Sequence, residues 1–308
     1  MKLGFLTGCL SAMPLEKIAA FAAARGFKAL EVSAWPVVNT RDYSGSNIDV
    51  AGMNGTKAAE IKDLFSRHGL EISSLAYYDN LLHQDQKIRQ TYLAHLYKVI
   101  DAAALLGVEL VGTFAGRDLT KTIGENMDQF ERVFKEILTY AESKHVKIMI
   151  ENCPMPGWQP DGWAGTVSYS PELWREMFRR VPNRSFGLNF DPSHLYWLGI
   201  DYVRAVGDFR ERIFHAHAKD TVIYKDKLYE YGIFGKQINR NGVWDTGWWS
   251  YRMPGRGEID WAKFIGALKD AGYQGVLSIE HEDPDYEGSE EKVKEGLGLG
   301  YEYLAGLI

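Results

Sequence analysis

The sequence predicts an α/β protein, a single (β/α)8 TIM barrel spanning residues 1–308 with a long aromatic-rich loop after its seventh strand. Three observations predict it. Strand and helix patterns alternate from end to end, giving eight β-then-α units with no break in composition. The strand segments are apolar on both faces or nearly so, as strands of a parallel sheet must be. A Gly-x-Gly-x-x-Gly turn after the first strand, which a doubly wound sheet would favour, is missing.

The elements follow in order. Residues 2–7 read as the first strand. Residues 14–25 read as a helix with Leu15, Ile18, Ala19 and Ala22 on its apolar stripe, closed by Gly26. Residues 29–34 are the second strand, and residues 56–68 a helix capped by Thr56 and closed by Gly69. Residues 72–77 and 109–114 are the third and fourth strands, separated by a long helix over 86–106. Residues 125–144 repeat apolar positions at helical spacing: Phe130, Val133, Phe134, Ile137 and Leu138. The fifth strand is 147–151, and the helix over 170–180 starts with Ser170 as cap and Pro171 at its first position. The sixth strand, 186–191, is stopped by Pro192. A short helix over 201–206 leads to the seventh strand at 213–219. After the long loop come a helix over 260–271, the eighth strand at 276–282 and a last helix over 289–304.

Bulk properties narrow the function. The net charge of −6 and the absence of a Lys/Arg run argue against a nucleic-acid or anionic-membrane partner. The two cysteines, Cys9 and Cys153, give neither a disulfide framework nor zinc-ribbon spacing. No 18-residue apolar run is present, and the apolar start of the chain is too short for a signal peptide, so a cytoplasmic location is expected.

In a barrel, chemistry sits at the carboxyl ends of the strands. The last inward residues there are Glu151 on the fifth strand, Asp191 on the sixth, His217 on the seventh and Glu280 on the eighth. Three carboxylates meeting without a cation would raise one another's pKa, and a divalent metal removes the conflict. Three oxygens and one imidazole suit Mn2+ first, then Mg2+ or Co2+, with Zn2+ admissible. Glu282 is the alternative to Glu280 should the strand run one layer further. His215 points inward one layer deeper than His217 and suits a supporting role. Glu31 shares the inward face of the second strand with Ser33 and suits either a substrate hydrogen bond or the neutralising of a neighbour. Lys219 is placed to polarise a substrate oxygen or to pair with Asp220.

Trp35, Trp158, Trp163, Trp197, Trp244, Trp248 and Trp249 all fall after strands, on the side of the expected site. Sugar rings present C–H faces that stack on such rings, so Trp35, Trp158 and Trp249 are candidate substrate contacts. Aromatics also favour subunit interfaces, and a homo-oligomer is expected. Residues 221–258 carry more of these rings, with Arg240, Arg252 and Arg256 and several glycines, and read as a lid or wall over the metal. Arg252 is taken as a further substrate contact. The partner expected is a small sugar.

The runs Ile-Glu-Asn at 150–152, Asn-Phe-Asp-Pro-Ser-His at 189–194, His-Ala-His-Ala-Lys-Asp at 215–220, Gly-Arg-Gly-Glu-Ile-Asp-Trp at 255–261 and Ser-Ile-Glu-His-Glu at 278–282 resemble the xylose isomerase-like TIM barrels. Within them the chain is most similar to the sugar phosphate isomerase/epimerase group, with its ketose 3-epimerases and inosose-processing enzymes. The resemblance implies that Glu151, Asp191, His217 and Glu280 bind the metal, that Glu151 and Glu280 are the acid/base pair, and that His194 touches substrate. It implies a metal-dependent isomerase or epimerase of a keto-sugar or keto-polyol. Ketose 3-epimerases carry a glutamate and an arginine where this sequence has Gly157 and Ile223, which points away from a free-ketose 3-epimerase. The same architecture accommodates a lyase, either dehydrating an inosose or cleaving a 3-keto-glycoside by β-elimination. An apurinic endonuclease shares the fold, but the acidic charge opposes it. A non-catalytic sugar-binding barrel is opposed by the presence of both Glu151 and Glu280.

Overall fold

The structure is a computed structural model and describes residues 1–37, 45–158, 164–242 and 244–308. In chain order its strands are β1 (Lys2–Leu6), β2 (Ala29–Ser33), β3 (Glu71–Ala76), β4 (Leu110–Thr113), β5 (Lys147–Glu151), β6 (Phe186–Phe190), β7 (Ile213–Ala218), β8 (Asp220–Ile223), β9 (Trp249–Arg252) and β10 (Val276–Ile279). The first seven and β10 pair side by side in parallel, and β10 closes the ring on β1. The strand taken as the eighth in the sequence is therefore β10. The pair β8–β9 is a separate antiparallel hairpin.

The helices are α1 (Leu15–Arg25), α2 (Gly55–Arg67), α3 (Gln86–Leu106), α4 (Ile123–Ser143), α5 (Pro171–Arg180), α6 (Pro192–Trp197), α7 (Tyr202–Phe209), α8 (Lys225–Tyr231), α9 (Trp261–Asp270) and α10 (Glu290–Ala305). Their ends follow local chemistry. Gly26 adopts φ 98° at the end of α1, a left-handed conformation that favours glycine, and its N–H reaches the carbonyls of Ala22 and Ala23. Thr122 and Glu125 form a capping box that starts α4. The start of α2 differs from the expectation at Thr56, because the Asn54 side chain takes the capping role by accepting from the Lys57 N–H. α6 was absent from the sequence reading, in which Pro192 only ended a strand. Proline is also a favoured first helical residue, and Asp191 caps the helix by accepting from the Ser193 N–H at 2.7 Å.

Apolar faces of the outer helices cover the barrel, with Trp174, Phe130, Phe134, Phe186, Phe190 and Phe264 among the largest buried side chains. Two register irregularities interrupt the sheet, between Leu30 and Glu31 and between Leu188 and Asn189. Such shifts re-aim side chains, and both sit beside residues of the site described below.

The described residues of 221–258 include a hairpin and a helix rather than a bare loop. The chain leaves along β8, passes through α8 and returns along β9, with Thr221 opposite Tyr251 and Ile223 opposite Trp249. Buried Asp220 anchors this excursion. Its carboxylate accepts from the N–H groups of Thr221 (2.8 Å), Gly255 (2.9 Å) and Ile259 (2.9 Å) and from the Trp261 indole (2.9 Å). A Cβ on Gly257 would collide with that carboxylate, which is why glycine stands there. Asp220 is thus engaged with backbone rather than paired with Lys219. Among the described residues no helix is long and apolar enough to cross a membrane.

Candidate metal centre

Glu151 ends β5, Asp191 caps α6, His217 lies on β7, and Glu280 follows β10 directly. Each offers one ligand atom, and these four atoms lie within 4.8 Å of one another. Glu151, Asp191 and His217 are buried, and Glu280 keeps only 13% of its side chain exposed. The Nδ1 of His217 stands 3.0 Å from Glu280 Oε2 and 3.5 Å from Glu151 Oε1, yet it makes no hydrogen bond. Asp191 Oδ2 is likewise buried without a hydrogen-bond partner. Buried polar atoms are seldom left this way. Ligands bound to one small cation stand about 3 Å apart, so the spacing and the two atoms without hydrogen bonds both fit a divalent metal.

The imidazole is held from behind. His217 Nε2 lies 2.9 Å from Glu31 Oε2, and a carboxylate can only accept, so Nε2 carries a proton and Nδ1 faces the other three groups. Tyr78 donates to the other Glu31 oxygen at 2.6 Å and receives a hydrogen bond from Asn189 at 2.6 Å. Burial alone would raise the Glu31 carboxyl. The charge of His217, with hydrogen bonds from His217 and Tyr78, outweighs it and brings the value down to about 2. His215 sits deeper, between Asn189 Oδ1 (3.0 Å) and Ser73 Oγ (3.1 Å), and burial takes it down to about 4, so it stays neutral. On His217 burial opposes the charge, but Glu31 and Glu280 win and hold a proton well above the ordinary histidine range. A metal at Nδ1 would have to displace that proton.

Lys219 and His194 enter the cluster from the side. Lys219 Nζ lies 2.7 Å from Glu280 Oε2, 3.2 Å from Glu282 Oε2 and 3.3 Å from Asp191 Oδ2, over the ring of Tyr251 at 4.4 Å. Burial disfavours its charge, but the carboxylates Glu280, Glu282, Asp191 and Glu151 keep it protonated. His194, on α6, places Nε2 3.0 Å from Glu151 Oε1 and 3.3 Å from Asp191 Oδ2, and its Nδ1 lies 2.9 Å from the Tyr251 hydroxyl. Glu282 is adjacent to the four-residue group rather than in it. Burial raises its carboxyl, Lys219 opposes, Glu280 adds to the rise, and the result is about 7.

The aromatic candidates surround this centre at one remove. Trp35 is buried 6.1 Å from Tyr78, the residue that bonds Glu31. Trp158 is partly buried, edge-on to Phe114, which in turn contacts Tyr78. Trp249 lies parallel to Trp197 at 4.7 Å and packs against Tyr251. Arg252 is tied to Asp283 at 2.9 Å and to the Tyr224 hydroxyl at 2.8 Å. Trp163 falls outside the described residues. Sequence reasoning missed Tyr251 and Tyr78 as parts of the site. Alternation in Trp-Ser-Tyr-Arg at 249–252 was a strand signal within the excursion, and Tyr78 stands just past the carboxyl end of β3.

Comparison with known proteins agrees with this architecture. Residues 19–303 match the sequence model of the xylose isomerase-like TIM barrel family. The uncharacterized protein YfiH of Bacillus subtilis (strain 168) is 27% identical over 312 residues, 92% of this chain and 93% of that one. An inosose isomerase of Bacillus velezensis is 23% identical over 232 residues, 74% of this chain and 73% of its own. The crystal structure of the IolI protein with a bound zinc atom matches with a TM-score of 0.71 at 20% identity, covering 100% of this chain and 99% of that one.

Proposed function

We propose that this chain, which belongs to the xylose isomerase-like TIM barrel family, is a divalent-metal-dependent isomerase or epimerase of a keto-sugar or keto-polyol. The observation that carries the proposal is the convergence of Glu151, Asp191, His217 and Glu280, with two buried atoms left without hydrogen bonds. An inosose isomerase among the relatives supports the substrate class. The four residues would hold the ion, with Mn2+ the first expectation from three oxygens and one imidazole. A divalent ion bound there polarises a carbonyl and acidifies the neighbouring C–H.

The chain's own residues do the rest. Glu151 and Glu280 come from non-adjacent strands, β5 and β10, and so reach a substrate carbon from two sides. One takes a proton from the carbon beside the carbonyl, and the other returns one. Lys219 presents N–H groups to substrate oxygens, and the His194 ring beside Glu151 borders the substrate. Trp35, Trp158 and Trp249 offer apolar walls to the ring. Arg252 bears on the substrate through the hairpin that it ties to Asp283.

A second reading, a lyase that dehydrates an inosose or cleaves a 3-keto-glycoside by β-elimination, is favoured by one observation. Glu282 lies beside Glu280 and 3.2 Å from Lys219 with its carboxyl raised, a position that suits protonation of a departing oxygen. Glu280→Gln tests the common core of both readings. The variant keeps its fold by circular dichroism and loses turnover by at least about a thousandfold. Near-normal activity would overturn the acid/base assignment.

A further inference from the structure

We propose that Tyr251 is a positioning residue that holds the His194 ring at its Nδ1 and, through it, aims the Glu151 carboxylate. This inference deepens the isomerase reading and rests on it for the role of Glu151. Two atom pairs carry the argument. The Tyr251 hydroxyl lies 2.9 Å from His194 Nδ1, and His194 Nε2 lies 3.0 Å from Glu151 Oε1. All three residues are buried.

The direction of each hydrogen bond follows from donor and acceptor chemistry. An ionised carboxylate only accepts, so Nε2 must carry a proton toward Glu151. In the neutral imidazole that leaves a lone pair on Nδ1, and the Tyr251 hydroxyl donates to it. Burial pushes the Tyr251 phenol well above its ordinary range, so it keeps the proton that it donates. Glu151 already selects Nε2–H, so the hydroxyl supplies a second anchor: with it the ring is held at both nitrogens, and without it at Nε2 alone.

The rest of the hairpin holds Tyr251 in place. It pairs opposite Thr221, packs against Trp249 at 4.7 Å and lies under Lys219 at 4.4 Å. Asp220 pins the start and the return of the excursion. The excursion is therefore part of the catalytic machinery: it delivers the hydroxyl that orients the base. None of the eight barrel strands supplies this group.

The test uses full-length protein labelled with 15N-histidine. Long-range 1H–15N spectra of the metal-free protein at about pH 8, where an ordinary histidine is neutral, report the tautomer, with the His194 signals assigned from His194→Gln. Wild type shows Nε2 protonated and Nδ1 as a hydrogen-bonded acceptor. Tyr251→Phe keeps the ring and the Nε2 proton, and its Nδ1 signal moves to that of an acceptor without a hydrogen bond. In the metal-loaded enzyme the same variant loses about tenfold in kcat with KM within about twofold, the size expected for one oriented hydrogen bond. Wild type with Nδ1 protonated, or a Tyr251→Phe spectrum identical to wild type, overturns the proposal. The tautomer is read without any substrate, so a failure of the isomerase reading would leave this measurement standing and show separately as absent turnover.

Discussion

Glu31→Gln asks whether the carboxylate behind His217 belongs to the metal centre. The side chain is fully buried and 2.9 Å from Nε2, on the ring's far side from the other three ligand candidates. Glutamine preserves size and one acceptor oxygen but removes the charge. Outer partners of ligating histidines are worth about 10- to 100-fold in metal affinity, or about 1.4–2.7 kcal/mol. The retained acceptor and the 2.6 Å hydrogen bond from Tyr78 can still hold the imidazole in place, which puts Glu31→Gln near the lower bound. Glu31→Ala removes the acceptor as well and belongs near the upper one. Titration calorimetry with Mn2+ on metal-free protein should give about a tenfold weaker Kd for the first variant and a larger loss for the second. A wild-type Kd in Glu31→Ala, with the fold intact, would refute the claim that Glu31 supports the ligand.

Two further predictions follow from the same contacts. The His217 proton is held by Glu31 and Glu280, so its pKa in the folded protein is raised and the proton competes with the metal through the neutral range. Mn2+ affinity should therefore rise as pH increases, with proton release visible in buffers of different ionisation enthalpy, and a pH-independent Kd would contradict the assignment. Asp220→Ala leaves three backbone N–H groups and an indole N–H without their acceptor. Urea unfolding should show a loss of about 3 kcal/mol, and an unchanged midpoint would show that the excursion is held by other contacts.

Much of the centre was legible because barrel topology is strict. Once the chain reads as eight β-then-α units, the residues ending the fifth to eighth strands must share one rim, and Glu151, Asp191, His217 and Glu280 do. The outer partners were harder to read. Glu31 could be assigned only as one of two options, because its partner His217 lies 186 residues away and a register shift beside Glu31 sets its aim. Tyr251 was invisible as a site residue. Its position depends on hairpin pairing inside a Gly- and Trp-rich stretch whose register no local pattern fixes. α6 was missed because Pro192 both ends a strand and starts a helix, and sequence alone favoured the first role. That short helix is what brings His194 back toward Glu151.

The central claim is that Glu151 and Glu280 move a proton at the carbon beside a carbonyl with a divalent ion at the four-residue centre. The most direct measurement is NMR in D2O of the Mn2+-loaded protein against a panel of keto-sugars, inososes and 3-keto-glycosides, with the metal removed before spectra are recorded. The account predicts that one substrate gains solvent deuterium at the carbon next to its carbonyl, and that Glu280→Gln and chelated wild type both abolish the exchange. Turnover of a sugar with no deuterium at that carbon, or exchange that persists after chelation, would contradict it.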